Sequence, residues 1–324
     1  MSGSFALRLA LSRAELERDH LSRALGIDAL LDAPEARAIV LHEGSALLTA
    51  SGGLALVPPS TVASHVLAVF LGRSPAGASD VAAGAPIVAL VVDDEVAERL
   101  GGPWGDLRSL GWRLDDRDAG LFTQAVALVN WHEGAAYSPR TGAPTVVAQS
   151  GWVRIDPDTG TEHFPRTDPA VIVAVTDADD RLLLGSNALW EAHRFSLLAG
   201  FVEPGESLEA AVLREVFEEA GIVVSDPVYL GSQPWPFPAS LMVGFRATVA
   251  AGESTQARPD GEEILELRWF TREQLAASLD DVLLPGRSSI ARAMIEDWYG
   301  GRLGDRTDDS VAEPVSIPLG EDEA

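Results

Sequence analysis

The sequence predicts an α/β protein, with a mixed sheet sandwiched between helices and a preceding α+β domain. Residues 170–300 alternate strand-like apolar runs with helical stretches, an order that suits such a sandwich. The first 125 residues carry short apolar runs separated by turn-rich segments, which is typical of strands with flanking helices. With 324 residues, the chain is long enough for two domains with their own cores.

Composition divides the chain into four predicted segments. Residues 1–125 form the α+β domain, which carries no catalytic motif, so we expect a scaffold or dimerisation role. Residues 126–168 join the end of a helix to a stretch rich in Gly, Pro, Thr and Asp. Residues 169–304 form the sandwich domain. The acidic tail 305–324 lacks apolar periodicity and is predicted to be disordered.

The predicted elements follow the apolar runs in chain order. The first domain has expected strands at Ala38–Leu41, Ala46–Leu48, Leu54–Val57, Val66–Leu71 and Ile87–Val92. Helices are expected at 119–133, at 208–220 and at Ser288–Trp298. The sandwich domain has expected strands at Ala170–Val175, Arg181–Leu184, Met242–Ala250 and Glu266–Phe270.

Charge and composition exclude several classes of function. The net charge is −25, from 49 acidic and 24 basic residues, so a DNA partner is not expected, because non-specific binding needs Lys and Arg at the phosphates. The longest aliphatic run, Ile87–Val92, is far too short for a membrane span, and the charged N-terminus is unlike a signal peptide. The chain has no cysteine, which excludes disulfides and thiolate metal sites. We therefore expect a cytoplasmic protein without a membrane partner.

The segment 208–220 predicts an amphipathic helix. It lacks Gly and Pro and is rich in Ala, Leu, Glu and Val. Ser207 is placed to cap its N-terminus, and Gly221 is placed to end it. The expected apolar side comprises Leu208, Val212, Leu213, Val216, Phe217 and Ala220.

Three carboxylates share the neighbouring stripe of this helix. Glu215, Glu218 and Glu219 are spaced at i, i+3 and i+4, where like charges destabilise a helix. A hard divalent cation removes that repulsion, because Mg²⁺ and Mn²⁺ take oxygen ligands from carboxylates and substrate phosphates. Arg214 is placed to orient a carboxylate through a bidentate pair. A solvated acidic face is the alternative, and the fixed spacing to Glu206 argues against it.

The whole segment from 200 to 222 matches one family pattern. It reads Gly200, five residues, Glu206, seven residues, then Arg214-Glu215-Val216-x-Glu218-Glu219-x-Gly221-Ile222. The chain therefore resembles the Nudix hydrolases, which cleave a nucleoside diphosphate linked to another group. The resemblance implies the Nudix α/β/α sandwich and a catalytic set of Glu206, Arg214, Glu215, Glu218 and Glu219. It leaves open whether Glu219 or Glu218 is the general base.

A second motif narrows the resemblance. Residues 232–240 read Ser-Gln-Pro-Trp-Pro-Phe-Pro-Ala-Ser, and the three prolines exclude a central strand or a helix. A rigid surface loop or a proline-rich ligand is the simpler interpretation. The segment closely resembles the signature of the NADH pyrophosphatases, the NudC-type branch of the Nudix family. A rigid aromatic wall suits a dinucleotide, which has two flat ring systems to stack. Residues 163–169 and 262–270 resemble two further family stretches.

The resemblance also implies ligands and substrate contacts. Two or three Mg²⁺ or Mn²⁺ ions are expected at Glu215, Glu218, Glu219, Glu263 and the carbonyl of Ala199, with Glu266 as the alternative to Glu263. The substrate, NADH, NAD⁺ or a related dinucleotide, is expected to contact Phe164, Phe201, Gln233, Pro234, Trp235, Pro236, Phe237, Pro238, Ala239, Ser240 and Ala291. Members of the branch are dimers, so we expect a homodimer, in which Trp235 could serve the other subunit.

The chain departs from the branch at one place. NudC-type enzymes usually carry a four-cysteine zinc ribbon, whose spacing survives here as Ser138-x2-Thr141 and Asp156-x2-Thr159. Structural zinc requires Cys or His ligands, so we expect no zinc. We expect the backbone of the ribbon to persist through packing and turn hydrogen bonds.

Together these patterns predict metal-dependent hydrolysis of the diphosphate bond of NADH or NAD⁺ to NMN(H) and AMP. Removal of NAD caps from RNA 5′ ends is the alternative, which the acidic composition disfavours, since single-stranded RNA binding needs a basic groove. An inactive nucleotide-sensing module is the non-enzyme alternative, and the intact carboxylate set argues against it.

Overall fold

The computed structural model describes residues 5–75 and 80–304. Contacts divide the described chain into two compact units. The first comprises residues up to 170 together with 230–243 and 286–293, and the second comprises the remainder. The predicted boundaries at 125 and 168 differ from this division and stay predictions. The acidic tail, predicted to be disordered, lies outside the described residues.

The described elements follow one another along the chain as short strands and helices. The helices are α1 (Ile27–Leu31), α2 (Asp94–Leu100), α3 (Leu107–Leu110), α4 (Asp116–Gly134), α5 (Leu208–Ala220), α6 (Arg272–Ala277) and α7 (Ile290–Tyr299). The 3-10 helices are Phe5–Arg8, His20–Leu25, Pro59–Thr61 and Gln149–Gly151. The strands are β1 (Arg37–His42), β2 (Ser45–Leu47), β3 (Leu67–Arg73), β4 (Pro86–Val91), β5 (Trp104–Asp106), β6 (Val146–Ala148), β7 (Val153–Ile155), β8 (Glu162–His163), β9 (Asp168–Thr176), β10 (Leu182–Asn187), β11 (Leu198–Phe201), β12 (Val224–Trp235), β13 (Ser240–Val249) and β14 (Ile264–Phe270). In this part of the chain, no helix combines the length and apolar character that a bilayer crossing requires.

The first unit is built on a five-stranded sheet with the order β3-β4-β1-β2-β5. Strands β1 and β4 are parallel, with Ile39 opposite Ala89, and the other pairs are antiparallel. Helix α4 buries Leu121 and Phe122 in the same apolar cluster as Ile39. The predicted strand Leu54–Val57 is wrong, because its residues form only isolated bridges.

A three-stranded antiparallel sheet, β6-β7-β8, occupies the predicted ribbon. The carboxylate of Asp156, which is fully buried, joins its two turns. It accepts a hydrogen bond from the hydroxyl of Thr141 at 2.6 Å, another from Ser138, and two from the backbone N–H groups of Asp158 and Thr159. The bond from Thr141 is the main cause that lowers the pKa of Asp156 to about 2. Three of the four positions where the branch carries cysteine thus take part in one hydrogen-bonded cluster through their side chains.

A six-stranded sheet has the order β12-β13-β9-β10-β14, with β11 paired to β9. Strands β10 and β14 are antiparallel, with Leu183 opposite Trp269 and a register shift after Ser186. The long strands β12 and β13 run through both units. Strand β12 lies at the edge of the sheet and includes Ser232–Trp235. The interpretation of this part as a loop is therefore wrong, while the exclusion of a central strand is confirmed, since an edge strand tolerates proline.

Helix α5 has the predicted bounds and caps. The Ser207 hydroxyl accepts from the backbone N–H of Ala210 at 3.1 Å, and Gly221 ends the helix at a φ of 64°. Its apolar side is narrower than predicted, because Leu213 and Phe217 are 42% and 58% exposed. The buried stripe includes a carboxylate instead, since Glu219 is only 4% exposed.

Candidate active site

Strand β11 and helix α5 meet at a glycine. A Cβ on Gly200 would overlap the carboxylate of Glu215. The absence of a side chain at this position lets the backbone approach the helix closely. Glycine is therefore required at position 200 because the Glu215 carboxylate lies against its backbone, and not because the chain makes a turn there.

The guanidinium of Arg214 joins three of the predicted catalytic carboxylates. Its Nε and Nη2 donate to the two oxygens of Glu206, each at 2.9 Å. Its Nη1 lies 2.9 Å from an oxygen of Glu218 and 2.9 Å from one of Glu215. Nη2 also donates to the carbonyl oxygen of Phe201 at 2.9 Å. Arg214 thereby holds the loop before α5 against the helix and offsets the repulsion among its acids.

Glu219 is the most buried acid of the site. Its Oε2 makes no hydrogen bond to any described residue, while its carboxylate accepts one from the backbone of Ala199. Burial, followed by the negative charges of Glu263, Glu215 and Asp260, raises the pKa of Glu219 to about 9. A buried carboxylate oxygen without a partner, surrounded by other acids, is an arrangement that a divalent cation would stabilise.

The other two helix acids occupy different environments. Burial raises the pKa of Glu215, while its ion pair with Arg214 acts in the opposite direction. The side chain of Glu218 is 57% exposed and is held by Arg214. The three acids therefore differ in hydration although they share one helix.

The acidic loop before β14 approaches the same acids. Glu263 is among the charges that raise the pKa values of Glu219 and Glu215, whereas Glu266 is absent from both sets and pairs with Arg268. The electrostatic coupling to Glu219 and Glu215 is therefore consistent with Glu263, rather than Glu266, as the predicted additional ligand.

Two residues around Glu263 were missed by the sequence reasoning. Asn187 donates a hydrogen bond from its amide nitrogen to Glu263 Oε1 at 3.2 Å. Asp260 accepts three backbone N–H bonds, from residues 262, 263 and 264. The Asp-Gly pair at 260–261 is a turn signal that could have indicated Asp260, while Asn187 carries no comparable signal.

The donor set fits a hard divalent cation. All the candidate ligands supply oxygen, and Glu219 has an oxygen without a partner among the described residues. These carboxylates are not drawn tightly together. Across the described ranges, only His42, Glu43 and Asp94 bring three ligand atoms within 4.8 Å of one another, and that group belongs to the first unit.

The proline-aromatic segment is described within the first unit. Gln233 is fully buried. Its Oε1 accepts from the backbone N–H of Leu11 at 3.2 Å, and its Nε2 donates to the carbonyl of Ser288 at 2.9 Å. Both ends of its side-chain amide are therefore bonded to backbone, and the substrate contact predicted for Gln233 stays a prediction. Ala291 is buried as well, and its predicted substrate contact also stays a prediction.

The aromatic residues of the segment form a pair. The rings of Trp235 and Phe237 meet edge to face, with centroids 4.9 Å apart. Asn130 donates a hydrogen bond to the carbonyl of Pro236 at 2.7 Å and fixes the turn between them. Phe164, in the same unit, is 60% exposed. Phe201, which belongs to the second unit, is 58% exposed.

Two family models match the chain. The NUDIX domain matches residues 166–293, and the NADH pyrophosphatase-like rudimentary NUDIX domain matches residues 35–131. The second match covers most of the segment in which the sequence reasoning found no motif.

Curated relatives extend over most of the chain. The NAD-capped RNA hydrolase NudC of Mycobacterium bovis is 45% identical over 280 residues, which are 83% of this chain and 85% of that protein. The protein of the same name from Stutzerimonas stutzeri is 39% identical over 65% of this chain and 73% of its own length. Among solved structures, a NUDIX hydrolase from Nitrosomonas europaea has a TM-score of 0.40 and 22% identity, and covers 52% of this chain and 94% of that chain.

The fold and the carboxylate site thus define a hydrolase of the α/β sandwich class. The chain belongs to the Nudix hydrolase family, and within it to the NudC-type members. The predicted family and fold class are confirmed.

Proposed function

We propose that the protein hydrolyses the diphosphate bond of NADH and NAD⁺. Water adds its oxygen to one phosphorus, the bridging P–O bond breaks, and the products are NMN(H) and AMP. The observation that carries this proposal is the buried Glu219, which has an oxygen without a partner among the described residues and whose pKa is raised by burial and then by the charges of Glu263, Glu215 and Asp260. Such a group of acids opposes a bare diphosphate and suits a diphosphate that arrives with cations.

The cations would be held by the carbonyl of Ala199 and by Glu215, Glu218, Glu219 and Glu263. When bound, two or three Mg²⁺ or Mn²⁺ ions would neutralise the diphosphate and acidify the attacking water. The residues of the chain provide positioning, which dominates phosphoryl transfer. Arg214 keeps Glu206, Glu215 and Glu218 in one arrangement.

Proton removal from the water is assigned to Glu219 or Glu218. Burial favours Glu219, because a buried carboxylate has a raised proton affinity, and binding of the cations would release the proton that it holds in their absence. Glu218 is more exposed, and its carboxylate is occupied by an ion pair with Arg214 at 2.9 Å. Measured rates of the two Gln variants would separate them.

The substrate rings are assigned to the aromatic residues of the signature and its neighbours. Phe164, Phe201 and Trp235 are the proposed contacts of the nicotinamide, with Phe237 as a neighbour of Trp235 in an edge-to-face pair. The resemblance also leads us to propose substrate contacts from other residues of the signature, namely Pro234, Pro236, Pro238, Ala239 and Ser240. Gln233 is proposed to hold the segment in place rather than to touch the substrate.

Removal of NAD caps from RNA is a second candidate, carried by the same carboxylates. The relatives from M. bovis and S. stutzeri are both named NAD-capped RNA hydrolases, and the bond broken is the same. The homodimer, the cytoplasmic location and the absence of a DNA partner are likewise proposals, which rest on the resemblance and the composition.

A substrate panel tests the proposal. Purified protein with Mg²⁺ or Mn²⁺ is incubated with NADH, NAD⁺, ADP-ribose, diadenosine polyphosphates and NAD-capped RNA, and the products are separated. We expect NMN(H) and AMP from the first two, and NMN with 5′-monophosphate RNA from the last. Preferential cleavage of diadenosine polyphosphates would refute the assigned substrate class.

A further inference from the structure

The side chain of Arg108 lies over the aromatic pair of the signature segment. Its guanidinium carbon is 4.1 Å from the ring centroid of Phe237 and 5.7 Å from that of Trp235. The nearest acid in sequence, Asp106, caps the following helix through the backbone N–H of Ser109 at 3.0 Å and acts on Arg108 through its charge without forming an ion pair. Arg108 is thus held by aromatic faces rather than by an ion pair.

A second arginine–aromatic group surrounds Trp112. The guanidinium carbons of Arg113 and Arg287 lie 4.7 Å and 4.8 Å from the centroid of its ring. The two groups share one residue, Ser288. Its hydroxyl accepts from the backbone N–H of Trp112 at 3.2 Å, and its carbonyl accepts from Gln233 at 2.9 Å. The signature segment and Trp112 are therefore tied to the same residue.

The charge of the chain makes these arginines unusual. Acidic residues outnumber basic ones by 49 to 24, so most arginines are expected to have an acidic partner. Arg13, for example, pairs with Asp116 and donates to the carbonyl of Gly111. For Arg108 and Arg113, by contrast, no side-chain hydrogen bond or ion pair is formed within the described ranges. Both residues are exposed, so their N–H donors are available to an anion.

Arginines interleaved with aromatic rings have a known ligand chemistry. Single-stranded nucleic acid is held by aromatic side chains that stack on its bases and by cationic groups along its phosphates. NADH has only a diphosphate, whereas NAD-capped RNA continues from the adenosine into a chain of phosphodiesters. Phosphates beyond the cap are therefore the feature that an extra pair of arginines could distinguish.

We propose that Arg108, Arg113 and Trp112 form a contact surface for the RNA strand that follows an NAD cap. The proposal rests on the proposed function, because it takes the signature segment to be part of the substrate site. It assigns the strand to a local basic and aromatic surface, so an acidic chain can still accept RNA. NADH has no phosphate beyond the cap, so the loss of these arginines is expected to weaken RNA binding more than NADH binding.

The test compares two double variants that remove the same charge. Arg108→Gln/Arg113→Gln alters the surface, while Arg99→Gln/Arg140→Gln removes two exposed arginines of the same unit that lie outside it. Binding of a short 3′-labelled NAD-capped RNA is measured by fluorescence anisotropy in chelator at several salt concentrations. The KM and kcat for NADH are measured separately with Mg²⁺. Melting temperatures confirm that each variant is folded.

We expect the surface variant to weaken RNA binding at least about 10-fold and to reduce the salt slope by roughly 1, because each single-strand phosphate contact contributes about 0.7. We expect KM for NADH to stay within about 3-fold, because phosphate contacts beyond the cap are absent from NADH. Unchanged RNA binding, an equal loss in the control variant, or an equal loss for NADH would overturn the proposal. Because anisotropy needs no turnover, a failure to hydrolyse NADH would count against the proposed function alone.

The conservative variant Arg108→Lys/Arg113→Lys gives a second readout. It keeps both charges and loses the planar guanidinium groups that stack on the rings. We expect it to retain the salt slope and to recover part of the RNA affinity. If it were no better than the Gln variant in either quantity, phosphate contact would be the wrong role for these arginines.

Discussion

The carboxylate of Glu215 lies where a Cβ on Gly200 would have to be placed. This contact explains why the pattern begins with glycine seven positions before Ser207, outside any turn that needs a positive φ. It also ties the position of one helix acid to the backbone of β11, so the acid cannot move toward the strand without a clash.

Gly200→Ala should therefore disturb the site without disturbing the fold. The added methyl group displaces the Glu215 carboxylate, and we expect NADH hydrolysis to fall at least about 10-fold with a higher Mg²⁺ requirement, as for a misplaced catalytic group. Gly134→Ala is the matched control, because a Cβ there meets nothing within 4 Å. Equal activities of the two variants would show that the contact has no catalytic consequence.

Glu219→Gln should lower activity and raise stability in the absence of divalent cations. We expect NADH hydrolysis to fall at least about 10²-fold, the contribution of an acid/base or metal-positioning group. In chelator, the variant should melt at least about 2 °C higher at neutral pH, a shift that corresponds to no less than roughly 0.5–1 kcal/mol. Glu209→Gln, at an exposed position of the same helix, is the control and should change neither quantity.

The sign of the stability change follows from the raised pKa. Glu219 has a folded-state pKa of about 9, while a carboxyl in the unfolded chain ionises near about 4.3. Between these values the unfolded state releases the proton that the folded state keeps, so Glu219 destabilises the fold increasingly as pH rises. The advantage of the Gln variant should vanish below about pH 4. An advantage that stayed constant with pH would contradict burial of an ionisable group as its cause.

The Asp156 cluster predicts the opposite pH dependence. The folded-state pKa of Asp156 is lowered to about 2, against about 3.9 for an unfolded Asp. Its contribution is fully present above about pH 4 and is lost as pH falls toward about 2. The melting temperature of the wild type should exceed that of Asp156→Asn at neutral pH, and the difference should shrink in acid. Asp158→Asn, whose side chain is exposed, should show no such trend.

Metal analysis tests the ribbon directly. After dialysis against chelator, we expect no stoichiometric zinc and an unchanged melting temperature, because the turns are joined by the bonds to Asp156. Retained zinc in a one-to-one ratio would refute the metal-free ribbon.

Gln233→Leu should act mainly on stability. The change leaves the N–H of Leu11 and the carbonyl of Ser288 without their buried partner, at a cost of about 1–3 kcal/mol for each buried group. We expect a melting temperature several degrees lower, whereas Gln256→Leu at an exposed position should be close to neutral. A large rise in KM for NADH with no loss of stability would restore direct substrate contact for Gln233.

Local rules account for the parts of the site that depend on neighbouring residues. The bounds of α5, the Ser207 cap and the terminal Gly221 follow from propensity and capping, and the structure has all three. The spacing of Glu215, Glu218 and Glu219 at i, i+3 and i+4 is also a local feature, and it predicts metal-dependent chemistry. Helix periodicity does not predict the burial of Glu219. The buried side of α5 is assigned from the apolar residues, which places Leu213 in the core and Glu219 outside it.

Longer-range features could not be read from the chain. Asp260 and Asn187 both hydrogen-bond to Glu263, and nothing in their spacing along the chain relates them to the helix. Gln233 belongs to a motif that resembles a substrate site, yet its partners, Leu11 and Ser288, lie far away in sequence. Such contacts depend on tertiary packing, which periodicity does not encode.

The release of NMNH and AMP from NADH tests the central claim most directly. Wild type and Glu219→Gln are assayed side by side with Mg²⁺ or Mn²⁺, and both products are measured by chromatography. We predict equal amounts of NMNH and AMP from the wild type and a rate at least about 10²-fold lower from the variant. No NMNH from the folded wild type, or near wild-type rates from Glu219→Gln, would contradict the account.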